Sequence, residues 1–167
     1  MENLGKMFAL NERSELKWIL LGEPNSLKIF WYNNWVNNTY NWYSTLVKPS
    51  WAPPSWLFGP VWSFLYVVIA LTYGTVFYKI IKGELPRALA WPFVLNLIFN
   101  LSFTYFQFGL KNNLLAAADI LLVLGTLLWA LVAIWSHYRL VTYANIPYLL
   151  WVMFATVLQL TITWLNK

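Results

Sequence analysis

Long uncharged apolar stretches occupy the chain from residue 49 onward. Three of them contain no Asp, Glu, Lys or Arg: 49–78, 88–110 and 140–166. Between residues 112 and 138 the only charged side chain is that of Asp119. A membrane-spanning helix needs about 20 predominantly apolar residues, so each stretch is long enough to cross a bilayer. The pattern predicts four spans, at 56–78, 88–109, 113–135 and 145–165.

The region before residue 48 is more difficult to assign. Residues 29–47 carry no charge but include five Asn and three Trp, so they are more polar than the later stretches. The alternative window 13–36 contains five charged residues, and each costs about 2.5–3.5 kcal/mol near the centre of a membrane helix. Two interpretations remain open. One is a fifth helix that packs its polar face against the other four, and the other is an interfacial segment with residues 18–21 among the lipid headgroups.

Composition indicates the same membrane environment. Apolar residues make up 60% of the chain and charged residues 10%, which is too little charge to cover a soluble domain of this length. No cleavable signal peptide is recognisable in residues 1–28. We therefore expect an integral membrane protein, located in the cell membrane of a bacterium, or in the mitochondrial outer membrane or another organelle membrane of a eukaryote.

Several classes of site are excluded by residue type. The chain has no Cys and a single His, so it forms no disulfide and no thiolate metal site, and we predict no metal centre. Its Lys and Arg residues are scattered rather than arranged in a stripe, which argues against a nucleic acid partner. No nucleophile–base or acid–base pair is recognisable within the spans. These observations favour binding over catalysis.

Basic residues favour one end of the predicted bundle. Three Lys or Arg lie in the loop at 79–87, and Arg139 lies in the loop at 136–144. The opposite end holds Lys48, Lys111 and Lys167. The positive-inside rule places the two loops in the cytoplasm, and the C-terminus outside.

An aromatic segment, residues 42–56, precedes the first strong span. It contains several Trp residues together with Pro49, Pro53 and Pro54. Proline restricts its own backbone and that of the preceding residue, and each indole offers a broad flat surface with one hydrogen-bond donor. We interpret the segment as a stiff flap at the membrane interface, with a site beneath it.

Polar residues form a stripe along the second strong span. Asn96, Asn100, Phe103 and Gln107 are spaced by three or four residues, so they share one helical face. Because unpaired amides facing lipid cost several kcal/mol, this face must point into the bundle. Two roles remain open and are compatible: hydrogen bonds between helices, or polar contacts to a ligand in a cavity.

Asp119 lies about two turns inside the third strong span, and its side chain is too short to reach the membrane surface. An acid within the membrane indicates a functional site, yet a structural acid bonded to an indole, a Tyr hydroxyl or a helix end is equally common. Both interpretations remain open.

Large and small side chains alternate on one face of the last span. Trp151 is followed one turn later by Ala155, and Leu158 continues the face. The notch between them fits either a neighbouring helix or a planar ligand. On the first strong span, Tyr66 belongs to a similar aromatic face.

Several motifs resemble the TspO/MBR family, also called translocator proteins or tryptophan-rich sensory proteins. The resemblance covers about residues 42–167, whereas residues 1–41 form a separate charged segment with an atypical first helix. The matching motifs are Lys48-Pro49-Ser50-Trp51-Ala52-Pro53-Pro54, Gly59-Pro60-Val61-Trp62, Asn100, Asp119-Ile120-Leu121-Leu122-Val123 and Pro147-Tyr148-Leu149-Leu150-Trp151.

This resemblance implies an all-α, five-helix transmembrane bundle, often a homodimer, with a pocket closed by the loop after the first helix. It also implies binding of a tetrapyrrole such as protoporphyrin IX as a ligand, with no required cofactor. Trp51 and Trp151 match the family's porphyrin-contacting tryptophans, and Tyr66, Asn96 and Asn100 are candidate polar contacts. The expected ligand-binding residues are Pro49, Trp51, Pro53, Tyr66, Asn96, Asn100, Trp151, Ala155 and Leu158.

The sequence departs from the family pattern at several positions. Phe103 and Leu115 stand where family members carry Trp, and Gln159 stands where they carry Asn. The C-terminal sterol motif is broken at Leu160 and Trp164.

The function that these observations favour is a membrane receptor or carrier for flat, porphyrin-like ligands. Two alternatives remain. One is an enzyme in which Trp51 and Trp151 take part in light-dependent degradation of bound porphyrin, and the other is a structural scaffold without a ligand.

Overall fold

A computed structural model describes residues 42–167, and every structural statement below concerns these residues. The chain divides into an N-terminal unit, Met1–Thr45, and a larger unit, Leu46–Lys167, which we call the membrane domain. Of the N-terminal unit only residues 42–45 are described, and there the Thr45 hydroxyl donates a hydrogen bond of 2.8 Å to the Trp42 carbonyl. The two interpretations of the earlier segment, a fifth helix or an interfacial segment, fall outside the described residues.

The membrane domain consists of helices, which we number within the described residues. Short 3₁₀ turns precede α1 and α2, and a π-helical turn, Tyr105–Gly109, extends α2. The helices are α1 Phe58–Ile81, α2 Ala90–Thr104, α3 Asn113–Trp135, α4 Arg139–Ala144 and α5 Ile146–Leu165.

Four helical segments of the membrane domain are long and apolar enough to cross a membrane. Their mean hydropathies range from 1.4 to 2.3, and each reaches the length of about 20 residues that the hydrocarbon layer requires. They are Ser55–Ile81, Arg87–Gly109, Asn113–Trp135 and Ile146–Leu165. The four predicted spans, and an all-α membrane architecture, are thereby confirmed.

Local chemistry explains where these helices begin and end. The Asn112 side chain caps α3 by accepting hydrogen bonds of 3.0 Å from the backbone N–H groups of Leu114 and Leu115. Pro147 lies in the first turn of α5, where its missing N–H group costs no helical hydrogen bond. After α1 ends, Gly83 adopts a φ of +76°, a backbone conformation that glycine tolerates without steric cost.

The third helix is the most buried of the four spans. In its most apolar window 44% of the residues are buried, against 28–33% in the other spans. Ala116, Ala117 and Ala130 are buried on it, and small side chains of this kind let helix backbones approach closely in membranes. The helix packs against both α2 and α5. The outward faces of the helices carry exposed apolar side chains, such as Leu71, Leu101 and Val132, which suit contact with lipid.

Candidate ligand site

The Trp51 loop, residues 46–54, is fastened to the end of α5. The Val47 backbone N–H donates to Asn166 Oδ1 at 2.9 Å, and Asn166 Nδ2 donates to the Val47 carbonyl at 2.8 Å. A tight turn follows, in which the Ala52 N–H donates to the Pro49 carbonyl at 3.0 Å. One amide side chain therefore holds both backbone groups of Val47, and the turn sets the direction of the loop beyond it.

Four rings from the loop and two helices form an aromatic cluster: Trp51, Phe58, Trp151 and Phe154. The Trp51 ring meets Phe154 edge-on at a centroid distance of 6.0 Å, and Phe154 lies 5.6 Å from Trp151. Phe58 at the start of α1 meets Trp151 at 5.7 Å, again edge-on. The Trp51 side chain remains 47% exposed. The two tryptophans that the sequence singled out thus border one cluster, although Phe154 lies between them.

The remaining apolar candidates lie on the same elements. Pro49 and Pro53 are half-buried in the Trp51 loop. Ala155 is half-buried one turn after Trp151, and Leu158 is buried farther along α5.

Sequence reasoning missed two members of the aromatic cluster, Phe58 and Phe154. Phe154 follows Trp151 by three residues, a spacing that puts both on one helical face. Phe58 precedes Trp62 by four residues, so the same helical spacing places these two on one face. The spacing alone would not have distinguished them from the many lipid-facing aromatic side chains.

The polar candidates join in a hydrogen-bonded network across the bundle. The Tyr66 hydroxyl donates to Asn100 Oδ1 at 3.1 Å, and Asn100 Nδ2 donates to the Tyr148 hydroxyl at 2.9 Å. Tyr148 in turn donates to Asn96 Oδ1 at 3.1 Å, and Tyr73 donates to the same oxygen at 2.8 Å. These bonds connect α1, α2 and α5.

Asn96 is fully buried, and its amide is saturated by protein groups. Besides accepting from two tyrosines, its Nδ2 donates to the Val123 carbonyl at 2.9 Å and to the Thr126 hydroxyl at 3.2 Å. The geometry therefore supports the interhelical role for Asn96. Tyr66 differs because the residue is 41% exposed, and it forms the outer end of the network. Ligand contacts by Tyr66, Asn96 and Asn100 stay predictions.

A second group of amides ties the ends of three helices together. Gln159 Nε2 donates to Gln107 Oε1 at 2.9 Å, and Gln107 Nε2 donates to Asn113 Oδ1 at 3.3 Å. The Thr163 hydroxyl donates to the Asn113 carbonyl at 3.0 Å. The Gln107 end of the polar stripe thus takes part in helix packing. Gln159, which departs from the family pattern, belongs to this second group of amides.

Neither a groove nor a metal-binding group adds a residue to the candidate site within the described part of the chain. An open groove of about 510 Å³ lies at the α2–α3 turn and the C-terminal end of α5, and it is lined by none of the candidate residues. Within residues 42–167 no group of three His, Cys, Asp or Glu side chains is placed to hold a metal ion.

Comparison with known proteins now gives the family. A sequence model of the TspO/MBR family matches residues 26–165. The chain belongs to the TspO/MBR family. The match includes the Trp51 loop and all four spans, and it also reaches residues 26–41, before the motifs that carried the resemblance.

Relatives within the TspO/MBR family come from bacteria, archaea and animals. The tryptophan-rich protein TspO of Bacillus cereus is 40% identical over 125 residues, which cover 75% of this chain and 80% of that protein. The human translocator protein is 36% identical over 122 residues, covering 71% of this chain and 70% of its own length. The tryptophan-rich sensory protein of Cereibacter sphaeroides is 34% identical over 130 residues, covering 75% of each chain. Together with the apolar helices, this membership establishes an integral membrane protein in a lipid bilayer.

Proposed function

We propose that this protein is a membrane receptor or carrier that binds a porphyrin-like tetrapyrrole, or another flat apolar molecule, against the aromatic cluster. The observation that carries the proposal is the arrangement of that cluster, which brings together one ring from the Trp51 loop, one from α1 and two from α5. Relatives named translocator protein and tryptophan-rich sensory protein support a carrier or receptor function.

The physical basis of the proposed binding is contact between flat apolar surfaces. A tetrapyrrole offers a large planar ring, and aromatic pairs contribute about 0.5–1.5 kcal/mol beyond the burial of apolar area. Trp51, with nearly half of its surface exposed, has ring area available for a ligand. Tyr66 on α1 is 41% exposed, and its hydroxyl is bonded to the Asn100 amide. We assign it a polar contact to the ligand edge.

Titration with protoporphyrin IX tests the proposal. We expect saturable binding to the purified protein in lipid nanodiscs. Binding is measured from the shift of the porphyrin's main absorption band. Trp51→Phe and Trp151→Phe should each weaken binding about two- to ten-fold, which corresponds to the loss of part of one aromatic contact. Trp129→Phe is the matched control, because Trp129 is 51% exposed on α3 and lies outside the aromatic cluster.

Two results would contradict the proposal. The first is the absence of saturable binding above that of empty nanodiscs, which would favour the scaffold alternative. The second is an equal loss of affinity in the control variant, which would place the porphyrin on the outer surface of the bundle. Illumination of the same samples tests light-dependent porphyrin degradation, which stays a prediction.

A further inference from the structure

Two buried polar atoms of the membrane domain have no hydrogen-bond partner within the described part of the chain. They are Oδ2 of Asp119 and the indole nitrogen Nε1 of Trp151. Asp119 is only 3% exposed. Leaving a buried polar group unpaired costs about 1–3 kcal/mol, and more when the group is charged. Because Asn96 and Gln159 in the same bundle do have partners, these two atoms need an explanation of their own.

The hydrogen bonds between α3 and α5 give the relative depth of the two residues. Gln159 Nε2 and the Thr163 hydroxyl both reach the Asn113 carbonyl, at 3.5 and 3.0 Å, which aligns the two antiparallel helices. Asp119 lies six residues along α3 from Asn113, or about 9 Å at 1.5 Å per residue. Trp151 lies eight residues before Gln159 on α5, or about 12 Å in the same direction. The two residues therefore lie at similar depths, within about one or two helical turns of each other.

Asp119 lies on a buried face of α3, and Trp151 lies on a partly buried face of α5. Asp119 shares its face of α3 with Ala116 and Val123, which are fully buried. Trp151 shares its face of α5 with Ala155. Because the Trp151 ring also belongs to the aromatic cluster, its unpaired N–H is part of the proposed ligand site.

We propose that Asp119 and Trp151 select the polar edge of the bound ligand. The carboxyl oxygen of Asp119 accepts a hydrogen bond from an N–H or O–H group of the ligand, and the Trp151 indole N–H donates to an acceptor on the same molecule. This inference rests on the proposed function and narrows its ligand class. Among uncharged flat molecules of the same shape, the site prefers an edge that carries a donor as well as an acceptor to an edge that carries acceptors alone.

Two uncharged derivatives of protoporphyrin IX separate these classes. In one, both carboxyl groups are converted to primary amides, which supply N–H donors next to acceptors. In the other they are converted to methyl esters, which supply acceptors only, while the ring is unchanged. We expect the wild-type protein to bind the bis-amide at least about ten-fold more tightly than the diester, since the bis-amide pairs a buried acceptor that the diester leaves unpaired.

Variants at Asp119 test the origin of this preference. Asp119→Leu should bind the two derivatives equally, with diester affinity no lower than in wild type. Asp119→Asn should keep part of the preference, because its amide oxygen still accepts a hydrogen bond. Thr156→Val is the matched control: Thr156 is a buried polar residue of α5 whose hydroxyl is already bonded to the Val152 carbonyl at 2.7 Å. Its bis-amide preference should equal that of wild type.

Infrared spectroscopy gives a measurement that does not depend on the folding of any variant. Asp119 is the only Asp in the chain. Cell-free synthesis with aspartate that carries ¹³C at its side-chain carboxyl therefore labels a single carboxyl group in the protein. Its band should shift when the bis-amide binds and stay unchanged when the diester binds. A bound bis-amide without a band shift, or the same preference in wild type and Asp119→Leu, would overturn the inference. Diester binding without any bis-amide preference would overturn it while leaving the proposed function intact, whereas failure of both derivatives to bind would contradict both proposals.

Discussion

At the scale of single residues, buried side chains with similar chemistry have different roles in this protein. Asn96 is fully buried, and both its oxygen and its nitrogen are bonded to groups on three other helices. Asp119 is equally deep, yet its Oδ2 has no partner among residues 42–167. Asn96 is therefore expected to support the fold, whereas Asp119 is expected to support recognition.

Substitution of Asn96 should measurably destabilise the bundle. Asn96→Leu leaves the buried Tyr73 hydroxyl without its side-chain partner and also removes hydrogen bonds to the Tyr148 hydroxyl and the Val123 carbonyl. An unpaired buried group costs about 1–3 kcal/mol. We expect a loss of about 2 kcal/mol or more in the free energy of unfolding. Tyr66→Phe removes one bond at a half-exposed position and should cost about 1 kcal/mol or less. Thermal unfolding in detergent is the measurement, and equal melting temperatures for the two variants would contradict the assignment.

At the scale of elements, the Trp51 loop is placed by a few contacts rather than by regular secondary structure. Its start depends on one side chain, Asn166, which bonds both backbone groups of Val47. Its middle depends on the contact between Trp51 and Phe154. An element held in this way can open without unfolding the helices beneath it.

Removal of the Asn166 side chain should loosen this loop selectively. In Asn166→Ala the two hydrogen bonds to Val47 are lost, each with a net contribution of about 0.5–1.5 kcal/mol. Hydrogen exchange at the Val47 amide should become about ten-fold faster or more, while exchange in the centre of α3 should not change. Thr161→Val is the control, because the exposed Thr161 hydroxyl bonds only within its own helix, to the Val157 carbonyl. Unchanged exchange at Val47 in Asn166→Ala would show that this fastening is unimportant.

At the scale of the whole molecule, one end of the bundle combines basic and aromatic side chains. Lys79 forms an ion pair of 2.6 Å with Glu84 and lies 5.3 Å from the centre of the Tyr138 ring. Arg139 lies 5.3 Å from the centre of the Trp135 ring. Cations and amphipathic rings together are typical of a membrane interface. The opposite end carries the Trp51 loop.

The orientation of the bundle follows from this distribution and is directly testable. Because the chain has no Cys, single cysteines can be introduced without background. In bacterial cells, Ser50→Cys should react with a membrane-impermeant maleimide from outside, whereas Lys82→Cys should react only after lysis, as the positive-inside rule requires. Both positions are exposed at the ends of the bundle. Labelling of Lys82→Cys in intact cells, without labelling of Ser50→Cys, would reverse the orientation.

The amount that could be predicted from sequence differs between the fold and the site. The spans predicted at 113–135 and 145–165 correspond to Asn113–Trp135 and Ile146–Leu165, because hydropathy and loop charge are local properties of the chain. The polar face containing Asn96 and Gln107 was also predictable, since helical spacing and the cost of unpaired amides in lipid require it to point inward.

The sequence by itself determined a helical membrane protein of the TspO/MBR family, the limits of its spans and the residues that had to face inward. Only the tertiary structure decided which inward-facing groups are satisfied and which are not. The bonds of Asn96 join residues 23 to 52 positions apart, and the rings of the aromatic cluster come from three separate segments. Such pairings depend on how helices rotate and cross in the bundle, and helical periodicity within one segment does not specify that geometry.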